Sequence, residues 1–166
     1  MALKDGLIPE FDAELASTRR VLERIPMDKA SWKPHAKSFA LGDLATHVVQ
    51  MHTWVGETLR KDKIDMIGYA RPTVPSTTAE LLARFDEYAK DAREALAAAT
   101  DEQMLGNWSL TAGEQVYFTM PRIACLRTFV FNHVVHHRGQ LTVYLRLLDV
   151  PVPGLYGPSA DDKTAG

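Results

Sequence analysis

The sequence predicts an all-α protein, a four-helix bundle with long irregular connectors. Four long segments repeat apolar residues at spacings of three and four, the period of a helix with one buried face. Stretches rich in proline and glycine fall between those segments. The chain's 166 residues suffice for one domain with a sizeable core but are too few for two, so residues 1–166 read as a single domain.

The first helix is predicted over about 6–24, where Leu7, Phe11, Leu15, Thr18, Val21 and Leu22 share a side, and Pro26 ends it. The connector "PMDKASWKPHAKSFALG" has two internal breakers besides its first proline and reads as irregular, with Trp32 as its apolar anchor. Ser38 or Gly42 opens a second helix that runs to about Arg60, with Leu44, His47, Val48, Met51, Trp54, Val55 and Leu59 inward. "GYARPTVPST" is a loop. In "STTAE" a hydroxyl residue stands three positions before Glu80, the spacing of a capping box. The third helix follows, with Leu81, Leu82, Phe85, Tyr88, Ala89, Ala92 and Leu96 inward. "NWSLTAGEQVYFTM" alternates instead, which predicts a short hairpin or extended crossover before the last helix. Pro121 suits the first turn of a fourth helix that reaches about Leu148, where "DVPVPG" stops it. The tail has no periodic face and is expected to fray from about 159.

Composition narrows the function classes. Hydrophobic residues make up 46% and charged residues 24%, as in ordinary soluble proteins. A formal charge of −2, with no basic run interleaved with aromatics, gives no reason to expect nucleic acid. No uncharged stretch is long enough to span a bilayer, and charges at Lys4, Asp5, Glu10 and Asp12 interrupt any secretory apolar region. The single cysteine, Cys125, excludes an intramolecular disulfide. The expected setting is the reduced cytoplasm.

Half of the six histidines lie in "FNHVVHHRGQL", residues 131–141. At about 100° per residue, His133 and His137 stand one turn apart on one face. Leu126, Val130, Leu141 and Tyr144 point in nearly the same direction, which predicts that this face is buried. Unpaired buried imidazole nitrogens cost roughly 1–3 kcal/mol each, and a divalent ion would partner both. His47 supplies a third inward imidazole from another helix. Three histidines would leave part of an ion's coordination open, and zinc or nickel accepts an all-nitrogen set. His136 competes with His137, but the i,i+4 spacing keeps the ring vectors more nearly parallel. His52 should point away from His47, and His35 lies in a loop.

Gln140 and Tyr144 share the His133 stripe and are candidate catalytic groups, with hydrogen bonding inside the bundle as their alternative role. Val134 stands where a zincin protease has its glutamate, which argues against that class. Asp43, one turn before His47, could accept that ring's second N–H. Arg138 points about 140° from His133 and should brace a neighbouring segment or the tail. Gly139 is expected to permit close helix approach.

"LGDLATHVVQM", "FNHVVHHRGQLTVYLRLLDVPVP" and "YGPSADD" together resemble the DinB/YfiT-like family of metalloenzymes. "IPMDKASWKPHAKSFALGDLATH" extends the likeness through the first connector, and HxxxHRGQ is its most specific signature. The resemblance implies a four-helix bundle, often a homodimer, that holds a divalent metal through His47, His133 and His137. It also implies a thiol-dependent transferase acting on a small molecule with a low-molecular-weight thiol. Metal-dependent hydrolysis and a non-catalytic dimeric ligand sensor are the alternatives.

Overall fold

The computed structural model describes residues 2–162. It is mostly helical, with one small sheet. Helix α1 spans Leu3–Leu22 and buries Leu7, Phe11, Val21 and Leu22. A 3-10 turn, Met27–Lys29, opens the first connector. The predicted second helix is two helices, α2 over Leu41–Gln50 and α3 over Thr53–Arg60. The division has a local cause at His52. Its ring Nδ1 lies 3.0 Å from the Val48 carbonyl, the acceptor its own amide would use in a continuous helix. That amide bonds instead to the Val49 carbonyl, three residues back.

Helix α4, Thr78–Ala98, begins as the capping box predicts. Thr77 Oγ1 accepts from the Glu80 amide at 3.1 Å. The Glu80 carboxylate reaches back past Thr77 to accept from the Ser76 amide at 2.8 Å. A short helix, α5 over Asp101–Leu105, follows with Thr100 as its cap. The last rod is α6, Arg122–Ala124, then a π-helical segment, Cys125–Phe131, then α7, Asn132–Leu147. The Thr128 hydroxyl takes the Ala124 carbonyl at 2.7 Å. A hydroxyl that occupies the carbonyl four residues back competes with the α-helical bond there, in keeping with the wider turn. Helix α1 packs on α4 and α7, and α2 packs on α4 and α7.

The all-α prediction needs one correction, a three-stranded sheet. Strands β2, Asn107–Ala112, and β3, Gln115–Pro121, form the antiparallel hairpin that the alternation suggested, with Leu110 opposite Phe118. Its turn needs Gly113, at φ +58°. Strand β1, Lys63–Asp65, pairs parallel to β2 and was not foreseen. With three residues, of which only Ile64 is apolar and buried, it has too little pattern to read. The core runs through the helices and takes in Trp108 and Leu110 of β2. Within residues 159–162, Asp161 accepts from both Arg146 and the Val152 amide, and the Ser159 hydroxyl donates to the Val152 carbonyl. The rest of the predicted frayed tail, 163–166, lies outside the described residues. Among the described residues no helix is long and apolar enough to cross a membrane.

Candidate metal centre

Helix α2 delivers His47. Its start is pinned at Gly42, where an added Cβ would stand 2.8 Å from both Ala30 Cβ and Val74 Cγ1. Any larger residue would lift α2 off the connector. Helix α7 delivers His133 and His137, one turn apart, toward α2. Leu126, Val130, Leu141 and Tyr144, predicted to mark the buried face, are all buried, and Val134, Arg138 and Leu145 extend it. The two imidazoles lie at the edge of that face, half-buried.

The three rings converge. His47 Nε2 lies 3.3 Å from His133 Nε2, which lies 2.9 Å from His137 Nε2. One ligand nitrogen from each residue falls within 4.8 Å of the others, so the three could hold a metal ion. Two nitrogens each 2.0–2.1 Å from a common ion stand about 2.9–3.4 Å apart for angles between 90° and 109°. Both close separations fall in that interval.

The protons support the same fit. The Gln140 carboxamide oxygen is 2.7 Å from His137 Nδ1, so that nitrogen donates and Nε2 carries the lone pair. His137 Nε2 then presents its lone pair toward His133 Nε2 across 2.9 Å, and a shared cation would partner both nitrogens. Burial, with the neighbouring imidazoles and Arg71 adding to it, lowers the pKa of His47 to about 4. Burial, followed by adjacent imidazole charge, also lowers His133 and His137. All three are neutral at pH 7, the form a metal requires.

The centre opens into a cavity of about 470 Å³. His47 and His133 form part of its wall, with Met51, Trp54, Leu110 and Phe129 making most of the rest apolar. Phe39 stacks on His47 with ring centroids 6.3 Å apart and meets His137 edge-on. Phe129 meets His133 edge-on at 5.8 Å. The loop between β1 and α4 contributes Met66, Tyr69 and Arg71. Sequence reasoning missed this lining, because a loop without periodicity gives no sign of which side chains turn inward.

The other predicted residues separate clearly. His136 is exposed, and His35 is exposed in its connector. His52 is buried away from the cluster, between Phe11 and Phe85. Gln140 meets His137 rather than open cavity. Tyr144 is turned away: its hydroxyl donates to the Phe39 carbonyl at 3.2 Å, and its ring meets Trp32. Neither candidate catalytic group lines the cavity. Asp43 is an exposed part of the wall and, among the described residues, makes no hydrogen bond to His47. Arg138 braces α1 and the tail, through Glu14, Thr18 and Tyr156. Gly139 is exposed, with nothing near the place of its missing Cβ, so the predicted close helix approach is absent among the described residues. Cys125 is fully buried, and burial raises its thiol pKa to about 11.

Comparisons with known proteins agree with this architecture. A Bacillus subtilis (strain 168) protein described as uncharacterized protein YrdA is 26% identical over 161 residues, 95% of this chain and 90% of that one. The crystal structure of a DinB-like protein from Bacillus cereus ATCC 10987 superposes with a TM-score of 0.72 at 24% identity, covering 92% of this chain and 97% of that one. A second DinB-like protein, YjoA from Bacillus subtilis, gives a TM-score of 0.68 at 18% identity, with 96% and 99% covered. These two likenesses speak for the fold. The sequence profile of the DinB family matches residues 5–165, and the chain belongs to that family.

Proposed function

We propose that this protein is a metal-dependent enzyme, a thiol-dependent transferase acting on a small molecule. In this reading His47, His133 and His137 hold zinc or nickel on a single-domain four-helix-bundle scaffold. The observation that carries it is the meeting of three neutral imidazoles at the edge of an apolar cavity of about 470 Å³. A divalent ion bound there supplies one thing, the conversion of a thiol to its thiolate at neutral pH.

The chain's own residues do the rest. Gln140 holds His137 in the tautomer that presents Nε2. Phe39 and Phe129 keep water from the flanks of the imidazoles. The apolar wall at Met51, Trp54 and Leu110 suits the body of an electrophilic substrate. No carboxylate bonds to the imidazoles among the described residues, which suits thiol activation better than a hydrolysis that needs a general base. Homodimerisation and a cytoplasmic location belong to the same proposal.

Elemental analysis of the purified protein is expected to find one divalent ion per chain. A panel of bacillithiol, mycothiol and glutathione against monochlorobimane is expected to show turnover with one thiol that a chelator abolishes. One observation favours a second reading, a non-catalytic ligand-binding protein: both predicted catalytic groups, Gln140 and Tyr144, are engaged elsewhere. Bound metal with no turnover on any thiol or ester would decide for it.

A further inference from the structure

One wall of the cavity carries two hydrogen-bond donors that the chain leaves unused. The Tyr69 hydroxyl oxygen accepts from Gln50 Nε2 and from Trp54 Nε1, each at 2.8 Å. A phenol has two lone pairs and one hydrogen. Two N–H groups therefore occupy both acceptor positions, and the hydrogen finds no acceptor among the described residues. All three of these residues line the cavity. Gln50 stands one turn beyond His47 on α2, and the Trp54 ring packs 5.2 Å from Phe129, the ring that flanks His133. Burial raises the phenol's pKa, so it remains a donor at neutral pH.

Arg71 is the second donor. It lines the same cavity from the same loop, makes no ion pair or hydrogen bond among the described residues, and lies near enough to His47 to lower that ring's pKa. Asp43, also on the wall, is not bonded to it.

We propose that the cavity takes a small carboxylic acid with an apolar body, its carboxylate received by the Tyr69 hydroxyl and the Arg71 guanidinium and its body lying against Trp54 and Phe129. This rests on the cavity being the ligand site of the reading above, and it adds the ligand's class. One fixed O–H and one cation match the two oxygens and single charge of a carboxylate. A phosphate dianion would leave a charge unmatched.

The test titrates 3-phenylpropanoate and its neutral amide into zinc-loaded and chelator-treated protein by calorimetry, for the wild type, Tyr69→Phe and Arg71→Gln. The acid is expected to bind the wild type at least about tenfold more tightly than the amide, as a charged hydrogen-bonded contact allows. That preference is expected to survive chelation, to fall severalfold in Tyr69→Phe and to vanish in Arg71→Gln, with amide binding unchanged. Tyr69→Phe strips Gln50 and Trp54 of their acceptor, whereas Arg71 is exposed and bonded to nothing among the described residues, so Arg71→Gln keeps the test sound if the first variant folds poorly. Equal binding of acid and amide overturns the proposal. So does a preference that disappears with the metal or persists in both variants, and so does the absence of saturable acid binding at millimolar concentration. Zinc content separates the two readings. A wild type without zinc that still prefers the acid counts against the metal alone, and full zinc without that preference counts against the carboxylate site alone.

Discussion

His137 and Arg138 are neighbours in sequence that face different sides of α7, and they satisfy their polar atoms in opposite ways. Arg138, 1% exposed, has its guanidinium taken up by the chain itself. One terminal nitrogen donates to the Glu14 carbonyl and Thr18 Oγ1, the other pairs with the Glu14 carboxylate at 2.6 Å, and only Nε lacks a partner. His137 has one nitrogen fixed by Gln140, while the other turns its lone pair toward His133 Nε2 at 2.9 Å. Polar atoms that support the fold find most of their partners within the fold. Imidazole nitrogens that meet only one another, beside a cavity, mark a place for something the chain does not supply.

That contrast breaks first if the two positions fail to separate stability from metal binding. Arg138→Met leaves Glu14 without its cation in a partly buried place, and removing one partner of such a pair costs roughly 3–5 kcal/mol. Urea unfolding is expected to show a loss of this order with metal stoichiometry retained. His137→Ala is expected to do the reverse: unfolding of the metal-free protein shifts little, while affinity in a chelator competition falls more than about a hundredfold, beyond the range for loss of a ligand's orienting partner. Stoichiometric metal in both His47→Ala and His137→Ala would remove the centre altogether.

Gln140 sharpens the comparison. Its contact with His137 Nδ1 fixes which nitrogen is offered. Gln140→Leu is therefore expected to weaken metal affinity by about 10–100-fold without changing unfolding of the metal-free protein. An unchanged affinity would make that hydrogen bond incidental.

His52 offers a third contrast, a histidine that neither holds a partner chain segment nor faces the cavity. It is 2% exposed, and burial lowers its pKa from 6.5 to about 4. The folded pKa lies below the unfolded one, so between those values the unfolded chain takes up a proton that the native chain refuses. Stability is then complete above about pH 6.5 and drains as pH falls toward 4. In metal-free protein His52→Leu is expected to flatten the fall in unfolding free energy across that window by up to about 1.4 kcal/mol per pH unit. A slope identical to wild type would show that His52 is already charged in the native state.

These residues also show what a sequence can carry. His47 and His133 met where helical phase put them, because the period of α2 and of α7 is regular over the turns concerned. Leu126, Val130, Leu141 and Tyr144 are all buried as their phase predicted, and the two imidazoles lie half-buried at the edge of that face, although the segment before α7 is π-helical and turns at another rate. The Thr128 hydroxyl bond behind that change is visible only once the helix exists. The capping box at Thr77 was legible because its chemistry is local, and β1 was not, because three residues gain their meaning only from Ser109–Thr111 alongside. Tyr69 was illegible for the same reason: what turns this loop side chain inward is its partners, Gln50 and Trp54, and those are distant in the chain.

Gly139, between Arg138 and Gln140, gives the smallest expected effect. It was predicted to let another helix approach, yet its missing Cβ would meet open space. Val143 and Leu147, one and two turns further along α7, are 57% and 56% exposed. In the monomer nothing explains a glycine there, and an interior helix glycine costs about 0.5–1 kcal/mol relative to alanine. Gly139→Ala is therefore expected to raise unfolding free energy by about that amount, with metal content unchanged, if this face meets only water. If the proposed homodimer buries this face, the added methyl instead intrudes on the second copy. Sedimentation velocity would then show dimers dissociating at concentrations where the wild type stays paired, and the stability gain would be lost. The sign of a change smaller than any other above thus reports whether α7, which satisfies Arg138 on one side and leaves His137 open on another, has a third side reserved for its own copy.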